Sequence, residues 1–97
     1  MDLHEQWRQH LRSSILRTLK NSPEYSANDS IVTDVVRSVG INASRDQVRT
    51  EMAWLKEQGL IRTQAFDALI VATMTERGED VAAGRSTVPG VKKPSAK

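Results

Sequence analysis

The chain has 97 residues, 38% of them hydrophobic, with no cysteine and a formal net charge of +2. These values suit one small domain with a modest core and exclude a disulfide framework or a thiolate metal site. The charge is uneven: residues 85–97 carry +4 with no acidic residue, whereas residues 1–84 carry −2. No apolar run approaches the ~20 residues of a membrane span, and the polar opening Met1-Asp2-Leu3-His4-Glu5 is unlike a signal peptide. A soluble, cytoplasmic protein is expected.

Residues 2–21 read as an amphipathic helix. Leu3, Trp7, Leu11, Ile15 and Leu19 recur at every fourth position, Leu16 widens the stripe, and Glu5, Arg8, Arg12 and Arg17 take other faces. Asn21-Ser22-Pro23 stops it, because proline disfavours helical geometry in the residue before it. After a loop, a second helix is predicted over 29–39. Asn28, Asp29 and Ser30 offer N-cap side chains, Ile31, Val32, Val35, Val36 and Val39 form an apolar side, and Gly40 follows where a left-handed residue ends a helix. The β-branched content would also suit a strand, but the spacing 32, 35, 36, 39 is helical.

Ile41-Asn42-Ala43 forms a short turn. Ser44 then opens a third helix over 45–58, with Gln47 three residues later completing a capping box and Gly59 ending it. Val48, Met52 and Leu55 are its inward stripe, which at ~100° per residue turns Asp46, Thr50, Ala53 and Glu57 outward. Beyond Gly59 the pattern changes to that of a β-hairpin, with residues 60–64 and 69–74 flanking Ala65-Phe66-Asp67-Ala68. Thr75 caps a last short helix that runs through Val81 to Gly84. Residues 85–97, with two prolines, serines, lysines and little apolar content, read as a disordered basic tail, so the domain is expected to occupy 1–84.

The pair 29–39 and 45–58, joined through Gly40-Ile41-Asn42-Ala43, has the form of a helix-turn-helix. The order helix, helix, helix, strand, strand, helix resembles a winged helix-turn-helix, mainly α with a small β-hairpin. The run from Ser44 to Ile61 looks like the recognition helix and following strand of winged-helix regulators, the ArsR and MarR types being the nearest general match. Met74-Thr75-Glu76-Arg77-Gly78 resembles the Leu-Thr-Glu-Arg-Gly step by which many of them leave the wing for the last helix. The resemblance covers about residues 10–84 and is specific for fold more than for any one family.

It implies a DNA-binding protein, a transcriptional regulator whose third helix enters the major groove of double-stranded DNA. Arg45 and Arg49 would pair with guanine, Gln47 with adenine, and Asp46 would accept from cytosine, with Thr50 on the same face. Ser44 and the first free N–H groups of the helix would meet phosphate. Arg62 is the one basic residue of the wing, and Lys92 and Lys93 would add non-specific, salt-dependent contacts from the tail. A homodimer through the first and last helices would place two recognition helices one DNA turn apart.

A second reading stays open. The third helix is neutral overall, an outward Glu57 would be repelled by phosphate, and Arg45, Asp46 and Arg49 suit a solvated face with local ion pairs. The same fold would then serve as a protein–protein adaptor, as in a small phage or mobile-element accessory protein. Trp7 and Trp54 are expected in the core or an interface rather than as base-stacking platforms, with Trp54 packed on a flanking element or a partner chain. Phe66 is expected to fold back on the core. His4 and His10 are six apart on one helix and cannot chelate one ion, and no GxxxxGK[ST], HExxH or GxSxG pattern is present, so neither metal, cofactor nor enzymatic activity is expected.

Overall fold

Eight short elements follow one another in the computed structural model, which describes residues 2–94. Helix α1 (Leu3–Lys20) starts at Asp2, whose carboxylate accepts from the His4 N–H, and carries Arg17 and Lys20 in its last turn, where the helix dipole favours cations. A single 3-10 turn, Pro23–Tyr25, leads into strand β1 (Ser26–Asn28) and then helix α2 (Asp29–Ser38). Helix α3 (Arg45–Glu57) is followed by β2 (Ile61–Phe66), β3 (Leu69–Met74) and helix α4 (Glu76–Ala82).

Strands β2 and β3 pair antiparallel from Ile61↔Met74 to Phe66↔Leu69, closed by the two residues Asp67 and Ala68, with Asp67 at φ 53°. The loop expected between the first two helices contains a third strand. β1 pairs antiparallel with β3, from Ser26↔Thr73 to Asn28↔Val71, so β3 lies at the centre of a three-stranded sheet. Ser26 and Thr73 also share a hydroxyl–hydroxyl hydrogen bond across this pair. The strand is only Ser-Ala-Asn, without a β-branched or aromatic residue, and nothing local announces it. Its pairing comes from the central strand.

The core joins Leu11, Ile15, Leu16 and Leu19 of α1 to Val32 and Val36 of α2, Val48, Met52 and Leu55 of α3, and Leu60, Ala72, Met74 and Val81 beyond them. Each of the larger side chains, Ala72 apart, contributes about 1.5–3 kcal/mol when fully buried. The predicted inward stripe of α3 is therefore the observed one. On α2 only part of the apolar side turns inward: Ile31, Val35 and Val39 form an exposed row. The capping expectations hold. Asn28, Ser44 and Thr75 each accept from a backbone N–H in the first turn of α2, α3 and α4, and Gly40, past the end of α2, has φ 93°.

The tail read as disordered past residue 84 is corrected over its described part. Val88 is 6% exposed and belongs to the core, and Val91 packs against it. The Arg12 side chain donates to the Gly90 carbonyl at 2.9 Å, and the Lys92 N–H donates to the Gln9 carbonyl. A strap over residues 85–94 thus lies against α1 and α3. Two valines on either side of Pro89-Gly90 supply the burial that the polar composition hides. Lys97 lies outside the described residues.

The four helices and antiparallel sheet constitute a winged helix-turn-helix fold. Among the described residues no helix is long and apolar enough to cross a membrane.

Candidate nucleic-acid interface

The capping box that starts α3 is complete: Ser44 Oγ accepts from the Gln47 N–H at 3.0 Å, and Gln47 Oε1 accepts from the Ser44 N–H at 2.9 Å. This anchors the first turn while leaving Ser44, Arg45, Asp46 and Gln47 exposed. Further along, Thr50, Ala53 and Glu57 are also exposed, in agreement with the predicted outward stripe. The Thr50 hydroxyl donates to the Asp46 carbonyl one turn back.

Arg45 and Arg49 are placed one turn apart on α3, and both are bound by a residue that sequence reasoning treated only as one of three capping candidates. Asp29, at the start of α2, is fully buried. Its Oδ2 accepts from Arg45 Nε at 2.9 Å and from Arg49 Nε, while its Oδ1 accepts from the Ile70 N–H of β3 at 3.0 Å. Both arginines also donate through Nη2 to the Ala68 carbonyl at the tip of the hairpin. One carboxylate thus ties together α2, α3 and the wing. Burial pushes the Asp29 carboxyl up, but hydrogen bonds from Arg45, Ile70 and Arg49, with the charge of Arg49, outweigh it and hold the group well below the ordinary range. Asn28 takes the cap, and Asp29 is turned inward. From sequence alone these two roles are interchangeable.

The guanidiniums are only partly covered, with side-chain exposures of 42% for Arg45 and 35% for Arg49. Nε and Nη2 of each are engaged, Nη1 of each makes no hydrogen bond to a carboxylate or carbonyl among the described residues, and the two side chains line a surface cavity with Asp46 and Ala68. Arg62 stands exposed on β2, cross-strand from Thr73, with no carboxylate partner among the described residues. At the wing tip the expectation for Phe66 is corrected: the ring is 63% exposed, because the hairpin projects past the core.

A second buried network holds the opposite side of α3. Glu51 accepts from Arg12 Nε at 2.7 Å and from Arg8 Nε at 3.0 Å, and Arg12 also reaches Glu5. The Arg12 guanidinium lies over Trp54, 3.9 Å from the ring centroid, so Trp54 has flanking elements of its own chain as partners. Trp7 packs partly buried against the core and stacks on His4. Lys92 and Lys93, expected on a free tail, sit with His10 and Arg17 around one cavity that includes no residue of α3 or the wing. Among the described residues no group of His, Cys, Asp or Glu is arranged to hold a metal ion.

No family model matches the sequence. The fold is similar to that of Sco3205, a MarR family transcriptional regulator from Streptomyces coelicolor solved in complex with DNA, with a TM-score of 0.64 and 18% identity. That alignment covers 90% of this chain, which spans 55% of the regulator's length. In sequence the chain is 40% identical over 78 residues to an uncharacterized protein of Haemophilus influenzae, covering 79% of this chain and 76% of that one. It is 45% identical over 83 residues to the uncharacterized protein gp26 of Escherichia phage Mu, covering 86% of this chain and 85% of the phage protein. The chain belongs to the family of phage Mu gp26, with a winged-helix fold.

Proposed function

We propose that this protein binds double-stranded DNA as a transcriptional regulator, presenting α3 to the major groove and the β2–β3 hairpin to the neighbouring backbone. The observation that supports this most is the exposed outer face of α3, held at a set angle to the wing through Asp29. Likeness in fold to a DNA-bound regulator points the same way.

In this reading Gln47, Thr50 and Asp46 meet base edges, Ser44 meets phosphate, and Arg62 contacts the backbone beside the wing. Arg45 and Arg49 act through their Nη1 groups. Each can reach a phosphate or a base acceptor, but neither can present its Nε/Nη2 fork to guanine, because Asp29 and the Ala68 carbonyl occupy it. Lys92 and Lys93 are not needed. Two copies pairing through α1 and α4 would present two such faces, and Leu3, 76% exposed, supplies apolar surface for that contact.

The test is fluorescence anisotropy with random duplex DNA at about 50 and about 200 mM salt, followed by selection of a preferred site. Arg62→Ala is expected to weaken binding uniformly and lower the salt slope by about 1, whereas Gln47→Ala relaxes preference at one base position. Absence of duplex binding at the lower salt would sink the reading. The adaptor alternative is favoured by exposed Phe66 and by the row Ile31, Val35 and Val39. In that case duplex binding is absent and Phe66→Ser abolishes capture of a protein partner.

A further inference from the structure

Most of this chain's arginines are held by its own carboxylates. Arg8 and Arg12 are paired with Glu5 and Glu51, Arg45 and Arg49 with Asp29, and Arg85 with Asp80. Three cations without a carboxylate partner among the described residues instead surround one cavity of about 280 Å³. Arg17 comes from α1, and Lys92 and Lys93 come from the strap. His10 and the hydroxyl residues Ser13 and Ser14 complete the polar wall, and no acidic residue lines it.

This cavity does not end there. A second one, of about 300 Å³, shares Ser14, Arg17 and Val39 with it and continues along α1 to Asn21 and Ser22, with Val35 in its wall. The two form one groove between α1 and the C-terminal half of α2. From His10 to Ser22 it runs about 18 Å at 1.5 Å per residue. Lys92, Lys93 and Ile41 stand at one end and Val35 at the other, while Arg17 and Val39 line both parts. Val39 is 64% exposed and Val35 36%, and Ile31, 50% exposed, extends the row by another turn.

We propose that this groove is the docking site for a short acidic segment, carrying apolar side chains, of a protein partner. The charge selects an anion, since three uncompensated cations face a binder without opposing carboxylates. The apolar wall selects a peptide over a nucleic acid, because a phosphate backbone gains nothing from valines. A second copy of this chain is disfavoured by symmetry. A two-fold contact through this face would set Arg17, Lys92 and Lys93 against themselves. The groove shares no residue with α3 or the hairpin, so this proposal stands independently of DNA binding.

The test uses the full chain and a labelled peptide of about a dozen residues, which as a helix spans about 18 Å, built of alternating Glu and Leu pairs. Companion peptides carry Lys for every Glu or Ser for every Leu, and a short random duplex DNA is run in parallel. Two-dimensional nitrogen–proton spectra are expected to show the acidic peptide moving Ser13, Ser14, Arg17, Val39 and Ile41. Both companions should bind at least about tenfold more weakly. Lys92→Glu with Lys93→Glu, and separately Val39→Ser, should each lower affinity by about tenfold with unchanged melting temperature. The proposal is overturned if those amides stay still with the acidic peptide, or if duplex DNA moves them at lower concentration. It is also overturned if protein concentration alone moves them, which would make the occupant a second copy.

Discussion

The Nε–H of Arg45 donates to Oδ2 of Asp29 at 2.9 Å, joining the first turn of α3 to the first turn of α2 across a fully buried carboxylate. Arg49 shares the same oxygen, and the Ile70 N–H takes the other. Asp29→Asn keeps the size and an acceptor for Ile70 but removes the charge that both guanidiniums face. Because the arginines are partly hydrated, the expected loss is about 2–3 kcal/mol rather than the larger penalty of a wholly buried pair. Urea unfolding measures it, and a loss below about 0.5 kcal/mol would show that Asp29 is not the joint between α2, α3 and the wing.

The same carboxylate gives the protein an acid limit. Burial raises its pKa and the arginine and backbone hydrogen bonds lower it further, so the folded value lies well below the unfolded one. A depressed folded pKa means the unfolded chain binds the proton first. The stabilisation is complete above the unfolded pKa of about 3.9 and is lost as pH falls from there through the folded value. The gap in unfolding free energy between the native chain and Asp29→Asn should therefore be constant between about pH 8 and 5 and narrow below about pH 4, by up to about 1.4 kcal/mol per pH unit. A gap that is flat down to about pH 2 contradicts the assignment.

The helices could be read from local chemistry because caps and glycines are local signals. Ser44 with Gln47, Asn28, Thr75 and Gly40 act within a few residues of themselves. What escaped depends on distant partners. β1 is three residues long and exists through β3. Asp29 differs from a capping residue only in facing Arg45 and Arg49, and Val88 looks like tail until α1 and α3 are assembled beneath it. The outward stripe of α3 was legible from its period, but the posture of its two arginines was not.

Gly78 explains one residue of the step that leaves the wing. A Cβ there would stand 2.0 Å from the Leu60 carbonyl oxygen, which is backbone and cannot turn aside. Gly78→Ala is expected to cost about 3 kcal/mol, at the upper end for overpacking. Gly40→Ala is the control, since its position is open and only the left-handed φ opposes it, at about 1–2 kcal/mol. Thermal melts of the two variants should fall in that order. The reverse order would mean that α4 shifts easily away from Leu60.

Glu51 and Arg12 are 5% and 3% exposed, so their pair differs in kind from the half-hydrated cluster at Asp29. Glu51→Gln leaves Arg8 and Arg12 with only the partly exposed Glu5 as a carboxylate partner, and a loss of about 3 kcal/mol is expected. Replacing both partners by apolar residues, Arg12→Met with Glu51→Leu, should recover most of it, because the desolvation cost disappears with the charges. If the double variant is no better than the single one, the pair is holding something else in place, and the Gly90 carbonyl bound by Arg12 is the evident candidate.

That carbonyl belongs to the strap, and Gly90 is where the strap can be tested by itself. Its φ of 99° disfavours any side chain, and a Cβ would stand 2.8 Å from the Trp54 ring and 3.0 Å from the Arg12 guanidinium. Gly90→Ala therefore forces residues 88–91 off α1, uncovering Val88 and the outer face of Trp54. Strain and lost burial together should cost about 2–3 kcal/mol. Trp54 emission, read in a Trp7→Phe background so that one indole reports, should shift to the red as water reaches the ring. Unchanged emission and stability would mean that the strap contributes nothing to the fold. It would also withdraw Lys92 and Lys93 from the wall of the groove they share with Arg17.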